Sequence, residues 1–222
     1  GLKALPDLPA LASLDLSGTQ ITDEGLAPLA NCQALETLSL SGTKITGRGL
    51  SEVAKNPNIR SLTVNNCSFD NSAFAAIGAM SQLEEVSFSQ TDVPVDGCKF
   101  LAGLKNLKKI NFHLAGVNDQ GLGFFTGLKE LQVLQLSECP VNGQGLLAMV
   151  KGDSTDKLET LVLYACPIGP RAGDAVKTMK NLRVLNISKT PLTDADLAVL
   201  RPLVNLRILY MGDSGGMTGE GF

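Results

Sequence analysis

The sequence predicts an α/β solenoid, with a parallel sheet on its concave face and short helices on its convex face. Three observations predict it. The stretch Leu11–Leu26 (L-A-S-L-D-L-S-G-T-Q-I-T-D-E-G-L) returns at Leu35 as L-E-T-L-S-L-S-G-T-K-I-T-G-R-G-L, 24 residues later. The same frame recurs, with substitutions, to the end of the 222-residue chain. Each copy also joins an alternating apolar run to a capped, helix-like segment, so that like pieces of successive copies must stack on one another.

Repeats start at Leu11, Leu35, Ile59, Leu83, Leu107, Leu131, Leu158, Leu182 and Leu206. The spacing is 24 residues except for 27 between Leu131 and Leu158. The three extra residues fall within Lys151–Lys157 (K-G-D-S-T-D-K), a polar, Gly-containing stretch that reads as a longer loop. A solenoid is one body of any length, so the expectation is a single domain over residues 1–222. Gly1-Leu2 and Gly221-Phe222 sit at the same phase of the motif, and neither end carries the polar capping segment that solenoids need. The expected reading is a piece of a longer protein.

Within the first repeat, the alternation of Leu14 and Leu16 predicts a short strand. Thr22-Asp23 is a candidate helix cap, as are Asn118-Asp119 and Thr193-Asp194. The helix that follows is two to three turns at most and marginal alone, so Leu26 and Leu29 must hold it to the core. Strands stack ~4.8 Å apart while helices need ~10 Å, which bends the stack and puts the sheet on the inside of the curve. The third-leucine position stays apolar throughout: Leu16, Leu40, Val64, Phe88, Phe112, Leu136, Leu163, Ile187 and Met211.

Bulk properties exclude several classes. Apolar residues make up 44% of the chain, enough for a real core. Net charge is -3, so no overall field draws nucleic acid or an anionic membrane. No apolar run approaches the ~18 residues of a membrane helix. The five cysteines, Cys32, Cys67, Cys98, Cys139 and Cys166, are odd in number and widely spaced, a poor disulfide framework. They tilt the expected compartment toward a reducing one, with export left open. Without CxxC or clustered Cys/His spacing, neither a metal site nor a cofactor is expected.

The unit L-x-x-L-x-L-x-x-[T/C]-x-[I/V]-T-D-x-G-L resembles the cysteine-containing class of leucine-rich repeats. It is similar to bacterial proteins with the T-D-x-G-L signature and to the substrate-recognition repeats of F-box proteins. Thr19, Thr43, Cys67, Thr91, Cys139, Cys166 and Thr190 match the T/C position. The resemblance implies a right-handed horseshoe with a protein-binding role. No F-box is present, and the 24-residue period is tighter than eukaryotic members usually show. A bacterial interaction protein is therefore the primary reading, and the recognition part of a larger F-box-like effector or multidomain enzyme is the alternative.

Cys139 and Cys166 hold equivalent positions in adjacent repeats, within disulfide reach at ~5 Å, yet small buried thiols interchangeable with threonine are the expected reading. His113 could be written into a Ser–His–acid set with Ser89, Ser137 and Glu138. Serine is merely the default of that column (Ser17, Ser41, Ser89, Ser137, Ser188), and an open sheet offers no oxyanion hole, so no enzymatic activity is expected. Gly47-Arg48-Gly49 and Gly143-Gln144-Gly145 read as repeat glycines, lacking the lysine and the strand of a phosphate loop.

Functional information is expected where the repeat fails. The outward strand positions are small and polar in the first four repeats. From the fifth onward they include His113, Leu114, Gln135, Val162, Tyr164, Lys189 and Tyr210, and the chain's only two tyrosines are among them. Tyrosine is a favoured interface anchor, so this set is the candidate site for a protein or peptide partner on the concave face. Charges beside the strands alternate in sign and read as a solvated rim.

Overall fold

The computed structural model describes residues 2–216 and 218. Among these, nine short strands form one parallel sheet in sequence order: β1 Ser13–Asp15, β2 Thr37–Ser39, β3 Ser61–Thr63, β4 Glu85–Ser87, β5 Lys109–Asn111, β6 Val133–Gln135, β7 Thr160–Val162, β8 Val184–Asn186 and β9 Ile208–Tyr210. Between them lie α1 Asp23–Leu26, α2 Gly47–Val53, α3 Asn71–Gly78, α4 Val95–Leu101, α5 Asp119–Leu122, α6 Gln144–Lys151, α7 Pro170–Val176 and α8 Asp194–Leu197. Tight 3₁₀ turns extend α1, α5 and α8. The architecture is a leucine-rich repeat horseshoe. Gly1 and Gly221-Phe222, whose matching phase the sequence singled out, lie outside the described residues.

Strand register follows the repeat. Leu14, Leu38, Leu62, Val86, Ile110, Leu134, Leu161, Leu185 and Leu209 stand side by side across the sheet. The 27-residue interval is taken up after α6. There Ser154 and Thr155 turn inward and are buried, and the Ser154 hydroxyl donates to the Met149 carbonyl at 2.9 Å, so the loop is polar in sequence but not solvated throughout. Behind the sheet, one continuous apolar core runs the length of the stack. Phe74, Phe88, Phe112 and Phe125 form an aromatic spine through coils three to five, with centroids 5.8–5.9 Å apart.

Each coil is tied to the next by polar contacts that recur at the repeat spacing. The T/C column donates to the third-leucine carbonyl, of its own coil or of the coil before. Thr43 Oγ1 reaches Leu40 O at 2.7 Å, Thr91 Oγ1 reaches Val64 O at 2.7 Å, and Cys139 Sγ reaches Phe112 O at 2.8 Å. On the opposite edge, the amides of Asn58, Asn106, Asn181 and Asn205 each donate to a carbonyl 25 residues earlier.

The Thr-Asp pair corrects one sequence expectation. Thr22 makes no cap hydrogen bond to its own helix. Asp23 instead accepts from the Thr46 amide at 2.8 Å and the Thr46 hydroxyl at 2.6 Å, at the start of the next coil's helix. Asp119 does the same three times over, accepting from the amides of Asn142, Gly143 and Gly145 at 2.8, 3.1 and 2.7 Å. The aspartate of the motif is thus chiefly a cross-coil staple. Asn118, by contrast, does cap its own helix, accepting from Gly121 N at 3.0 Å. Thr193 forms a capping box with Asp196.

The staple also explains the motif glycines. A Cβ on Gly145 would stand 2.6 Å from Leu122 Cβ and 2.7 Å from Asp119 O. Gly143 has φ +108, and a Cβ there would lie 2.6 Å from the Ala172 amide nitrogen.

Two outcomes follow. Gly143→Ala combines positive φ with a backbone clash and lowers stability by about 2–4 kcal/mol, and Asp119→Ala, which strands three amides, by about 2–3 kcal/mol, both read by denaturant titration. Burial pulls the Asp23 carboxyl up, but the Thr46 hydroxyl and the Thr46 and Gly49 amides outweigh it and hold it below the ordinary range. A carboxyl depressed by folding contributes stability above about pH 4 and loses it as pH falls through its folded value. The acid limb of a stability–pH curve is therefore shallower in Asp23→Asn than in the parent.

Candidate interaction face

The concave surface is built from two side-chain rows. The first is Asp15, Ser39, Thr63, Ser87, Asn111, Gln135, Val162, Asn186 and Tyr210, directly in register. The second lies two residues further on, from Ser17 to Gly212. Its carbonyls accept from the neighbouring coil, as Ser137 O does from Leu114 N at 2.9 Å and Tyr164 O from Glu138 N at 2.8 Å.

The residue after the second row turns the chain off the sheet, and it adopts a left-handed conformation in every coil. Gly18, Gly42, Asn66, Gln90, Leu114, Glu138, Ala165, Lys189 and Asp213 have φ between 51 and 68. The two glycines meet this demand freely, whereas each other side chain costs on the order of 1–2 kcal/mol. Leu114 and Lys189 therefore sit at a strained corner of the sheet and not on a strand, which the sequence reading of this column as a plain outward position did not show. The backbone fixes where their side chains leave the sheet. Leu114 is 43% exposed despite being apolar.

The two halves of the face differ chemically. In the first, several polar side chains bond to one another. Ser17 Oγ and Ser39 Oγ are 2.7 Å apart, Ser39 Oγ and Ser41 Oγ 3.3 Å, and Ser87 Oγ donates to Asn65 Oδ1 at 2.8 Å. Ser17 donates to Asp15 through both its hydroxyl and its amide, which holds the Asp15 carboxyl below its ordinary range. In the second half, Gln135 and Val162 are direct neighbours. Lys189 Nζ lies 5.2 Å from the centre of the Tyr164 ring, and the Tyr164 side chain beside it raises the ammonium above the ordinary lysine range. Tyr210 is 51% exposed on the outermost strand, and neither its hydroxyl nor the Gln135 amide makes a hydrogen bond among the described residues.

His113 is brought near Glu138, Nδ1 to Oε1 4.0 Å. Its backbone amide donates to Asn111 Oδ1 at 3.0 Å, and among the described residues neither Ser89 nor Ser137 bonds to its ring. The structure also shows a concave hollow of about 190 Å³ over β3–β6, bordered by Thr63, Glu85, Ser87, Lys109, Asn111 and Gln135. Sequence reasoning passed over coils three and four because their outward residues are small. Smallness is what makes the hollow, and the run of Ser, Thr and Asn at those positions was its signal.

Beside the strands, charges pair across coils. Glu84 sits between Arg60 at 3.8 Å and Lys108 at 2.5 Å, and the Lys108 hydrogen bond lowers its carboxyl. Glu85–Lys109, Glu130–Lys157 and Glu159–Arg183 continue the pattern along the same edge. No group of three or more His, Cys, Asp or Glu placed to hold a metal ion occurs among the described residues, and no helix there is long and apolar enough to cross a membrane.

Comparison with known proteins agrees with the fold. A family described as Zer-1-like leucine-rich repeats matches residues 123–209, and one described simply as a leucine-rich repeat matches residues 9–30 and 31–54. No curated protein matches the chain. Among solved structures, an internalin of Listeria monocytogenes, InlF, is similar with a TM-score of 0.64 at 16% identity, over 94% of this chain and 63% of that one. Internalin C2 of the same organism gives 0.70 at 21% identity, over 92% and 82% of the two chains. The plant peptide hormone receptor RGFR1, solved in complex with RGF2, gives 0.57 at 14% identity, over 95% and 33%. The chain thus spans under two thirds of InlF and one third of the receptor. Pattern, register and fold are those of a leucine-rich repeat solenoid.

All five cysteines are free and buried. Burial pushes the Cys98 and Cys166 thiols up to about 12, and it raises Cys32, Cys67 and Cys139 as well. Almost no thiolate exists near neutral pH. Native protein at pH 8 should react negligibly with an aromatic disulfide reagent, and protein unfolded without reductant should release five thiols. A release of three would mean a Cys139–Cys166 bridge.

Proposed function

We propose that the chain is a non-enzymatic module that binds a protein or peptide across coils five to nine of its concave face, through His113, Leu114, Gln135, Val162, Tyr164, Lys189 and Tyr210. One observation carries the reading. In the first half Asp15, Ser17, Ser39, Ser41, Asn65 and Ser87 are bonded to one another, while the second half presents a lysine-covered tyrosine and a half-exposed tyrosine. A partner gains most where polar groups have no prior bonds to give up and where rigid aromatics offer area at low entropic cost. The fold is shared with a peptide hormone receptor solved in complex with RGF2, which supports a peptide-sized occupant.

Membership of the cysteine-containing class belongs to the same proposal. Its support is chemical, since Cys67, Cys139 and Cys166 fill the same position as Thr43 and Thr190 and, like them, donate to a backbone carbonyl. Catalysis by His113 lacks a serine partner, and the nearby carboxylate is at 4.0 Å.

The double variant Tyr164→Ala/Tyr210→Ala should lose at least tenfold in affinity for a partner captured by pull-down from the source organism, with thermal unfolding nearly unchanged, because Tyr210 is exposed and Tyr164 only partly buried. Unchanged binding would remove the tyrosines from the site. The same loss in Ser39→Ala/Thr63→Ala would move the site to the first half.

A further inference from the structure

Coils seven and eight depart from the motif at the two positions that close neighbouring helices. The inward residue opening the helix is Leu26, Leu50, Leu122, Leu146 or Leu197 in five coils and Phe74 or Cys98 in two, but in coil seven it is Gly173. The residue before it is glycine or alanine in seven coils, where the next helix comes close, but in coil eight it is Asp196. One coil lacks the side chain that fills the junction, and the next lacks the small residue that would let it close.

The result is an apolar pocket of about 80 Å³ between α7 and α8, partly open to solvent beside Ala195 and Asp196. Leu163, Leu185 and Ile187 line it from the sheet, and Val176, Leu192 and Val199 from the convex side. Val199 leans toward the vacated position, with Cγ2 2.8 Å from where a Cβ on Gly173 would stand, and fills it only in part. Asp196 is the one ionisable group on the lining. It is only partly buried, and its carboxylate accepts from the Thr193 amide and hydroxyl at 2.8 Å each.

We propose that this cavity is a binding site for one small, neutral, apolar molecule. Its walls are apolar but for Asp196 and offer water few partners, and apolar cavities take apolar guests. One of about 150 Å³ accommodates benzene or xenon. A space near half that size suits xenon or a hydrocarbon of a few carbons. The Asp196 carboxylate repels carboxylates and phosphates, so a short fatty acid is excluded although its chain would fit. The site is separate from the concave face, since the residues that line it are on the other side of the sheet.

The test is a xenon titration of the full chain followed by methyl NMR, with sodium butyrate as the anionic comparison. Saturable shifts confined to the lining methyls, such as those of Leu163, Leu185 and Leu192, are expected, with butyrate at least tenfold weaker. Gly173→Leu should abolish the shifts by filling the cavity, and Val199→Ala should strengthen binding several-fold by enlarging it. The second variant keeps the test decisive if the first fails to fold. Absent or non-saturating shifts, shifts spread through the core of coils one to six, equal binding of butyrate, or no gain in Val199→Ala would each overturn the site.

Discussion

A coil of 24 residues cannot bury its own leucines, because it has only one layer and the other walls must come from the coils on either side. Every recurring feature of the chain answers that constraint. The leucines form rows in register, so that each side chain meets its own kind in the next coil. The polar atoms at coil boundaries are also settled between coils, by the Thr/Cys donors, the asparagine amides and the aspartate staples. Since a buried unpaired carbonyl or amide costs about as much as several buried methylenes return, the polar stitches set the register as firmly as the leucines do.

The scaffold was legible in the sequence because a repeated constraint leaves a repeated residue. The strands, the 27-residue interval and the apolar column are each visible as period and alternation. The roles of polar motif residues were less legible. Thr22-Asp23 looks like a cap by local rules, but Asp23 reaches into the next coil, and a contact 23 residues away has no local signature. The left-handed corner was hidden for a related reason. Glycine marks it in only two coils, and in the others Leu114, Lys189 and their equivalents are held there by the ladder through Ser137 O and Gly212 O.

The candidate face was legible only in outline. The two tyrosines are visible in sequence as departures from a small, polar column. The pairing of Lys189 with Tyr164, and the bonding among serines, Asp15 and Asn65 in coils one to four, depend on distances between side chains that period alone does not supply. Placing Leu114 at a strained backbone position strengthens its case, since an apolar, exposed residue at an energetically costly corner is not there to stabilise the fold.

Departures from the motif cluster in coils seven and eight, and they act on both sides of the same strands. In β7 and the residues after it, Val162 and Tyr164 face the concave surface while Leu161 and Leu163 face the core. In β8 the same alternation places Asn186 in front and Leu185 behind, against the cavity. An unfilled apolar junction costs stability relative to a filled one. In a linear stack each interface contributes separately to stability, so that cost is borne at the α7–α8 boundary and is not averaged over the chain. Coils eight and nine, beyond the junction, are therefore held less tightly to the rest than coils two to six are to one another. The unfilled junction itself follows from two substitutions, Gly173 for leucine and Asp196 for glycine.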